Sequence, residues 1–260
     1  MNLIDTHCHI DVGEFDDDRY EILKRCRELG IRRIVVPAVM AAGWGDLLAL
    51  CRRADGLFPA LGLHPVYLDF HQSADLDALD DWVEQHHPVA IGEIGLDYYV
   101  ENLDRERQRD LFDAQLAVAR NAGLPVLLHV RKAHDDVLAC LRQTPVAGGI
   151  VHAFNGSAQQ ARQYIDQGFV LGIGGTVTYE RSTKIRALAR ALPLEALVLE
   201  TDAPDMAVAA HHGERNSPEY LTDVLQALAE VRDESLQAIA RQTTLNADRV
   251  LRLDSSTPDG

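Results

Sequence analysis

Lysine is scarce in this 260-residue chain, confined to Lys24, Lys132 and Lys184, while 40 acidic residues bring the formal net charge to −15. That balance argues against tight, sequence-independent wrapping of duplex nucleic acid, which needs a basic footprint to release counterions. Local capture of a short polyanion stays open, because divalent ions and a few arginines act at a site instead of along a groove. Cysteine is limited to Cys8, Cys26, Cys51 and Cys140, no two of which form a CxxC pair. The opening MNLIDTHCHI has neither the basic start nor the apolar stretch of a secretion signal, so a reducing, cytoplasmic setting is expected. No run approaches the roughly 18 uninterrupted apolar residues of a membrane span, and no membrane role is expected. No obligate protein partner is evident. A GxGxxG loop and a Walker loop are both missing after the first apolar run, which disfavours a nucleotide-binding open sheet.

What is present is alternation. Short apolar runs at Leu3 to His9, Arg33 to Ala38, Phe58 to His64, Val89 to Ile94, Pro125 to His129, Gly149 to Ala153, Phe169 to Ile173 and Leu197 to Thr201 are separated by stretches with helical periodicity. Eight strand–helix units predict an α/β fold of the (β/α)8 TIM-barrel type, which uses about 250 residues as one domain. That domain is expected to cover residues 1–253, with a frayed tail at 254–260. Gly30, Gly123 and Gly168 read as helix C-terminal glycines, and Ser217-Pro218 as an N-cap followed by a first-turn proline. The apolar face after it comprises Leu221, Val224, Leu225 and Leu228.

In a strand, residues two apart share a face, so Asp5, His7 and His9 are predicted to point the same way, toward the barrel mouth. An isolated HxH is as compatible with two hydrogen-bonded histidines as with a metal site. The other candidates change that balance: His64, Glu93, His129, His152 and Asp202 fall at or just past predicted strand ends, where barrels build active sites. Imidazoles and carboxylates together suit Zn²⁺, Mn²⁺, Fe²⁺ or Co²⁺, and the carboxylates also admit Mg²⁺. His211 and His212 are expected to face solvent, as are His71, His86, His87 and His134. The acidic run Asp16 to Asp18 is expected to complement a helix dipole.

The segments DTHCH, GLHP, GEIGLDYY, LLHVRKA, VHAFNGS, GIGGTVTY, LETDAP and RNSP, spread from Asp5 to about Asn246, resemble in content and order the TatD family of metal-dependent deoxyribonucleases. That resemblance implies one ion held by His7, His9, Glu93 and Asp202, and a second held by Glu93, His129 and His152, with Glu93 shared. Two divalent ions (Mg, Mn or Zn) per chain are implied. Related barrel hydrolases bridge their ions with a carboxylated lysine at the end of strand four; this chain has Glu93 there, so that subclass is disfavoured.

Two ions about 3.5–4 Å apart acidify a water and clamp the attacking and leaving oxygens of a phosphodiester. Asp202 is a candidate to orient or deprotonate that water, or to act solely as a ligand. His64 is a candidate electrophile toward a phosphoryl oxygen, or a support for the ligands. Arg131, two residues after His129, can bind a phosphate bidentately or form a structural ion pair. Arg215 and Asn216 precede a helix start that favours anions, and the resemblance puts them on the substrate side. Glu200 can support the ligands or pair inside the lumen. Tyr98 and Tyr99 can stack on a base or seal the mouth, with Tyr98 the favoured candidate. The resemblance implies DNA as substrate, cleaved from a 3′ end on single-stranded or frayed strands. The alternatives are a hydrolase of small amides, esters or lactones, or a metal- or oligonucleotide-binding protein without turnover.

Overall fold

The computed structural model describes residues 1–253; the expected tail at 254–260 lies outside the described residues. Eight strands form one sheet in sequence order: β1 (Leu3–Asp5), β2 (Ile31–Pro37), β3 (Leu57–Leu61), β4 (Ala90–Asp97), β5 (Val126–Arg131), β6 (Gly149–Val151), β7 (Phe169–Ile173) and β8 (Leu197–Leu199). Every consecutive pair is parallel. The seam between β8 and β1 is closed by backbone bonds: Thr6 N–H donates to Leu199 O (3.0 Å), Asp202 N–H to His7 O (2.8 Å) and His9 N–H to Ala203 O (2.8 Å). The result is the expected (β/α)8 barrel.

Around it lie α1 (Arg19–Leu29), α2 (Trp44–Arg53), α3 (Ser73–His86), α4 (Arg105–Ala122), α5 (His134–Gln143), α6 (Ala158–Asp166), α7 (Thr183–Ala191), α8 (Leu221–Val231) and α9 (Leu236–Leu251). Helix α1 stops at Gly30, whose φ is +88° and where a Cβ would come within 2.5 Å of the Met1 carbonyl oxygen, leaving no place for a side chain. The apolar stripes of the helices pack on the outer faces of the strands to form the main core. Leu221, Val224, Leu225 and Leu228 lie on the buried face of α8 as expected. Pro218 instead opens a short 3₁₀ turn ahead of α8, and the Ser217 hydroxyl makes no capping bond. The Tyr220 N–H, which such a cap would satisfy, is taken instead by the Ser217 carbonyl (2.9 Å).

The lumen has its own apolar layer, to which each strand contributes one residue: Ile4, Val35, Ala60, Ala90, Leu127, Ile150, Val170 and Val198. The end of α9 covers it with Ala247, Val250 and Leu251, followed by Leu253. That closes the N-terminal end of the barrel and leaves the C-terminal end open. Above the layer, period-two alternation carries Leu127 to His129, Ile150 to His152, and Val198 through Glu200 to Asp202. Two strands break the period. From Ile4 to His7 and from Ala90 to Glu93 the step is odd, which regular pleating forbids. On β1 the regular strand ends at Asp5; on β4 the register against β5 shifts between Ile91 and Ile94. Both irregularities turn a metal-ligating type of side chain inward.

Candidate metal centre

Glu93 sits at the centre of the mouth, 2% exposed, and its two oxygens face different imidazoles. Oε2 lies 3.1 Å from His7 Nε2 and 3.6 Å from His9 Nε2; Oε1 lies 3.0 Å from His129 Nδ1 and 3.4 Å from His64 Nε2. Asp202 faces the same space, with Oδ1 3.6 Å from His7 Nε2 and 3.7 Å from His9 Nε2, and Oδ2 3.4 Å from His152 Nε2. His7 and His152 stack with ring centroids 3.6 Å apart. Asp202 adopts the left-handed conformation (φ +60°), which an aspartate tolerates and which lets the chain turn just as its N–H closes the seam. The mouth opens into a cavity of about 620 Å³, lined by His9, His64, Glu93, His129, His152 and Asp202 together with a largely apolar wall that includes Val39, Val66, Tyr67, Phe154 and Met206.

Placing an ionised carboxylate out of water is costly unless opposite charge or hydrogen bonds meet it. Burial raises the cost for Glu93, but His7, His64 and His129 outweigh it and hold the carboxyl well below its usual range. Burial likewise opposes ionisation of Asp202, and His152, His7 and His9 hold it at about 2. His129 is pushed up to about 9, because Asp97 and Glu93 overcome its burial, and Glu200 and Asp202 do the same for His152. His64 goes the other way: burial outweighs Glu93 and lowers it to about 4, so it is neutral at pH 7. Its Nδ1 accepts the Val66 N–H (3.1 Å), which fixes the proton on Nε2, aimed at the mouth.

The donor set fits divalent cations. Three groups, His7/Glu93/His152, His7/His9/Asp202 and His64/Glu93/His129, each bring their ligand atoms within 4.8 Å of one another, and Glu93 belongs to two of them. Histidine and carboxylate donors around buried, mutually repelling imidazoles are what a Zn²⁺, Mn²⁺ or Mg²⁺ site requires. One grouping differs from expectation: His64 converges with His129, while His152 leans toward His7 and Asp202.

The expected substrate contacts separate. Arg131 lines the cavity, and its guanidinium lies 3.6 Å from the centroid of the Tyr99 ring. Tyr98 does not line it; its hydroxyl donates to Asp136 (2.9 Å), away from the mouth, and the half-exposed ring at the rim is Tyr99. Arg215 does not reach the cavity either. Its guanidinium is held by both Asp18 oxygens (3.0 and 2.6 Å) and the Glu14 carbonyl, and it lies over Phe15. Asp18 is thus occupied by Arg215, and Asp16 pairs with Arg19 (2.7 Å). Asn216 is buried, and its Nδ2 donates to Thr201 O (2.8 Å) and Asp205 O (2.7 Å) while Oδ1 accepts the Ser217 N–H (2.9 Å). It therefore pins the loop behind Asp202 and has no donor left for a substrate.

Asp5 does not turn toward Glu93 and Asp202 as His7 and His9 do. Its buried carboxyl group, pushed up to about 8 by burial, accepts from Thr201 N–H (3.0 Å) and His7 N–H (3.2 Å) and shares a short bond with Thr201 Oγ1 (2.5 Å), stapling β1 to the residues after β8. Glu200 takes the Ala153 N–H at 2.6 Å in the lumen, opposite Gly172, where any Cβ would come within 2.1 Å of its Oε2. His134 is buried, not surface-facing, between Tyr164 Oη and Asn155 Oδ1 (3.2 Å each). Asp97, which reaches His129 Nε2 at 2.9 Å, escaped the sequence reading. Its position four residues after Glu93, hence on the same strand face, was the available signal.

Residues 4–252 match the family model described as TatD related DNase. An uncharacterized metal-dependent hydrolase of Escherichia coli, YjjV, is 42% identical over 246 residues, covering 94% of this chain and 95% of that protein. The crystal structure of YjjV, described as a TatD homolog, superposes with a TM-score of 0.92 at 40% identity, covering 95% of this chain and 97% of that one. A 3′–5′ ssDNA/RNA exonuclease TatD from Erwinia tasmaniensis is 31% identical over 260 residues, 96% of this chain and all of that protein. An organophosphorus hydrolase from Deinococcus radiodurans shares the fold, with a TM-score of 0.70 at 15% identity over 96% of this chain and 92% of that one. The described residues include no helix long and apolar enough to cross a membrane. With the motif order, the barrel and the histidine–carboxylate mouth in agreement, the chain belongs to the TatD family of metal-dependent hydrolases.

Proposed function

We propose that this hydrolase cleaves phosphodiester bonds with two divalent ions (Mg, Mn or Zn), removing nucleotides from the 3′ end of single-stranded or frayed DNA. The observation that carries the reading is the split of Glu93, whose two oxygens serve His7/His9 on one side and His64/His129 on the other. His7, His9, Glu93 and Asp202 would hold one ion, and Glu93, His129 and His152 the other, while His64, whose Nδ1 accepts the Val66 N–H, keeps its Nε2 proton beside them. Ions bound there supply Lewis-acid stabilisation of oxyanion charge and a water acidified enough to attack at neutral pH.

The remaining work belongs to side chains. A carboxylate held at about 2 is a poor proton store at neutral pH, so Asp202 orients the attacking water as an acceptor. Neutral His64 offers its Nε2–H to a developing negative oxygen without carrying a charge of its own. Arg131, stacked on Tyr99 at the rim, meets the phosphate, and the apolar wall around Tyr67 accepts the base. The name of the Erwinia relative, an exonuclease on ssDNA and RNA, supports a nucleic-acid substrate.

The experiment offers purified protein with Mg²⁺, Mn²⁺ or Zn²⁺ a 3′-labelled single-stranded oligonucleotide beside ester and amide panels. Metal-dependent nucleotide release, abolished by Glu93→Ala, is expected. Turnover of small carbonyl substrates with intact DNA would contradict the nuclease reading, and no turnover at all would favour a binding protein.

A further inference from the structure

Asp97 stands at the end of β4, one strand turn beyond Glu93, and every polar group it has is engaged. Oδ1 accepts the N–H groups of Tyr99 (2.7 Å) and Val100 (3.0 Å). Its backbone is clamped by one side chain of α4: Asp97 N–H donates to Gln108 Oε1 (2.8 Å), and Gln108 Nε2 donates to Asp97 O (3.0 Å). Held in this way, Oδ2 has a single direction left, toward His129 Nε2 at 2.9 Å. Asp97 is 1% exposed and does not line the cavity, so it reaches the site only through that imidazole.

An ionised carboxylate is an acceptor only, and it therefore requires the proton of His129 to sit on Nε2. The other ring nitrogen, Nδ1, faces Glu93 Oε1 at 3.0 Å inside the mouth, so it is the nitrogen whose proton an arriving ion would displace while Asp97 keeps the one on Nε2. His7 has no such support among the described residues, where its Nδ1 is buried without a hydrogen-bond partner. The two halves of the site are thus built differently: an imidazole locked from behind on the His129 side, and one unsupported on the His7 side. We infer that Asp97 is a positioning residue that fixes the tautomer and ring orientation of His129, and through it sets the affinity of the ion on the His129 side alone. The inference rests on the metal reading of the site given above. A carboxylate behind a ligating histidine strengthens metal binding by about tenfold to a hundredfold in general.

Asp97→Asn tests it with almost no change of shape. The Asn Oδ1 keeps the Tyr99 and Val100 bonds, but its NH₂ now faces His129 Nε2 and drives the proton to Nδ1, the nitrogen that would ligate. In competition against a chromophoric chelator, wild type should bind two Zn²⁺ per chain, and Asp97→Asn should lose about tenfold to a hundredfold in one affinity while the other is unchanged. A purely structural role would weaken both sites or lower Tm without separating them. A second measurement needs no variant: ¹⁵N NMR of zinc-loaded wild type should show His129 carrying its proton on Nε2. Two equally tight sites in Asp97→Asn, or a His129 proton on Nδ1 in wild type, overturns the positioning role while leaving the metal reading intact. A wild type that binds fewer than two ions overturns both.

Discussion

Asn216 offers a sharp test of how far site residues can be assigned by segment. The RNSP segment points to a substrate contact, whereas the structure gives all three of its side-chain hydrogen bonds to the protein: to Thr201 O (2.8 Å), to Asp205 O (2.7 Å) and from Ser217 N–H (2.9 Å). Each bond contributes about 1 kcal/mol net, and the two carbonyls and one N–H left behind by Asn216→Ala lie in a region where water enters poorly. The expected destabilisation is about 3 kcal/mol. For a barrel of this size that corresponds to a fall in Tm of roughly 6–12 °C, measured by thermal unfolding and cross-checked by the urea midpoint. Because Thr201 precedes Asp202, activity should fall mainly in kcat, as the loop carrying Asp202 loosens. A variant that melts with wild type but loses substrate affinity would refute the reasoning and restore Asn216 to the substrate.

Gly172→Ala forces a Cβ to within 2.1 Å of the buried Glu200 carboxylate, which cannot retreat while it holds Ala153 N–H; about 1–3 kcal/mol of stability should be lost. Urea unfolding of Gly172→Ala, Glu200→Ala and the double variant should be clearly non-additive, and additive losses would contradict the clash. Burial lowers His134 below the ordinary histidine range, with the Asn155 hydrogen bond opposing only part of the shift. Its folded value is below its unfolded one, so the stability it contributes is present above about pH 6.5 and is lost as pH falls through the depressed value. His134→Gln should therefore flatten the decline in unfolding free energy between about pH 7.5 and 5 relative to wild type; an unchanged slope would contradict that assignment.

Much of the molecule was legible because periodicity and chemistry coincide in it. Alternating apolar runs and helical stretches give the barrel, and β7 agrees residue for residue at Phe169–Ile173. Strand ends were overextended at β1, β3, β6 and β8, because the chain carrying His7, His64, His152 and Asp202 leaves the regular ladder to curve into the mouth. The candidate ligands were found by residue type and position, yet the period-two argument offered for His7 and His9 does not hold: β1 ends at Asp5, and Asp5 itself turns to Thr201. What the sequence could not convey was competition between partners. Arg215, Tyr98 and Asn216 are the right types for a substrate, but Asp18, Asp136 and the Thr201 carbonyl, each distant in sequence, claim them first. The burial of His134 and the link from Asp97 to His129 are likewise three-dimensional facts.

The central claim is a two-ion site bridged by Glu93. Metal analysis of protein equilibrated with Zn²⁺ or Mn²⁺ and freed of excess ion tests it most directly. Wild type should retain about two ions per chain, and Glu93→Ala, which removes the side chain whose two oxygens face both histidine pairs, should retain fewer than one at the same free metal concentration. A wild type that holds a single ion, or a Glu93→Ala variant that still holds two, would contradict the account.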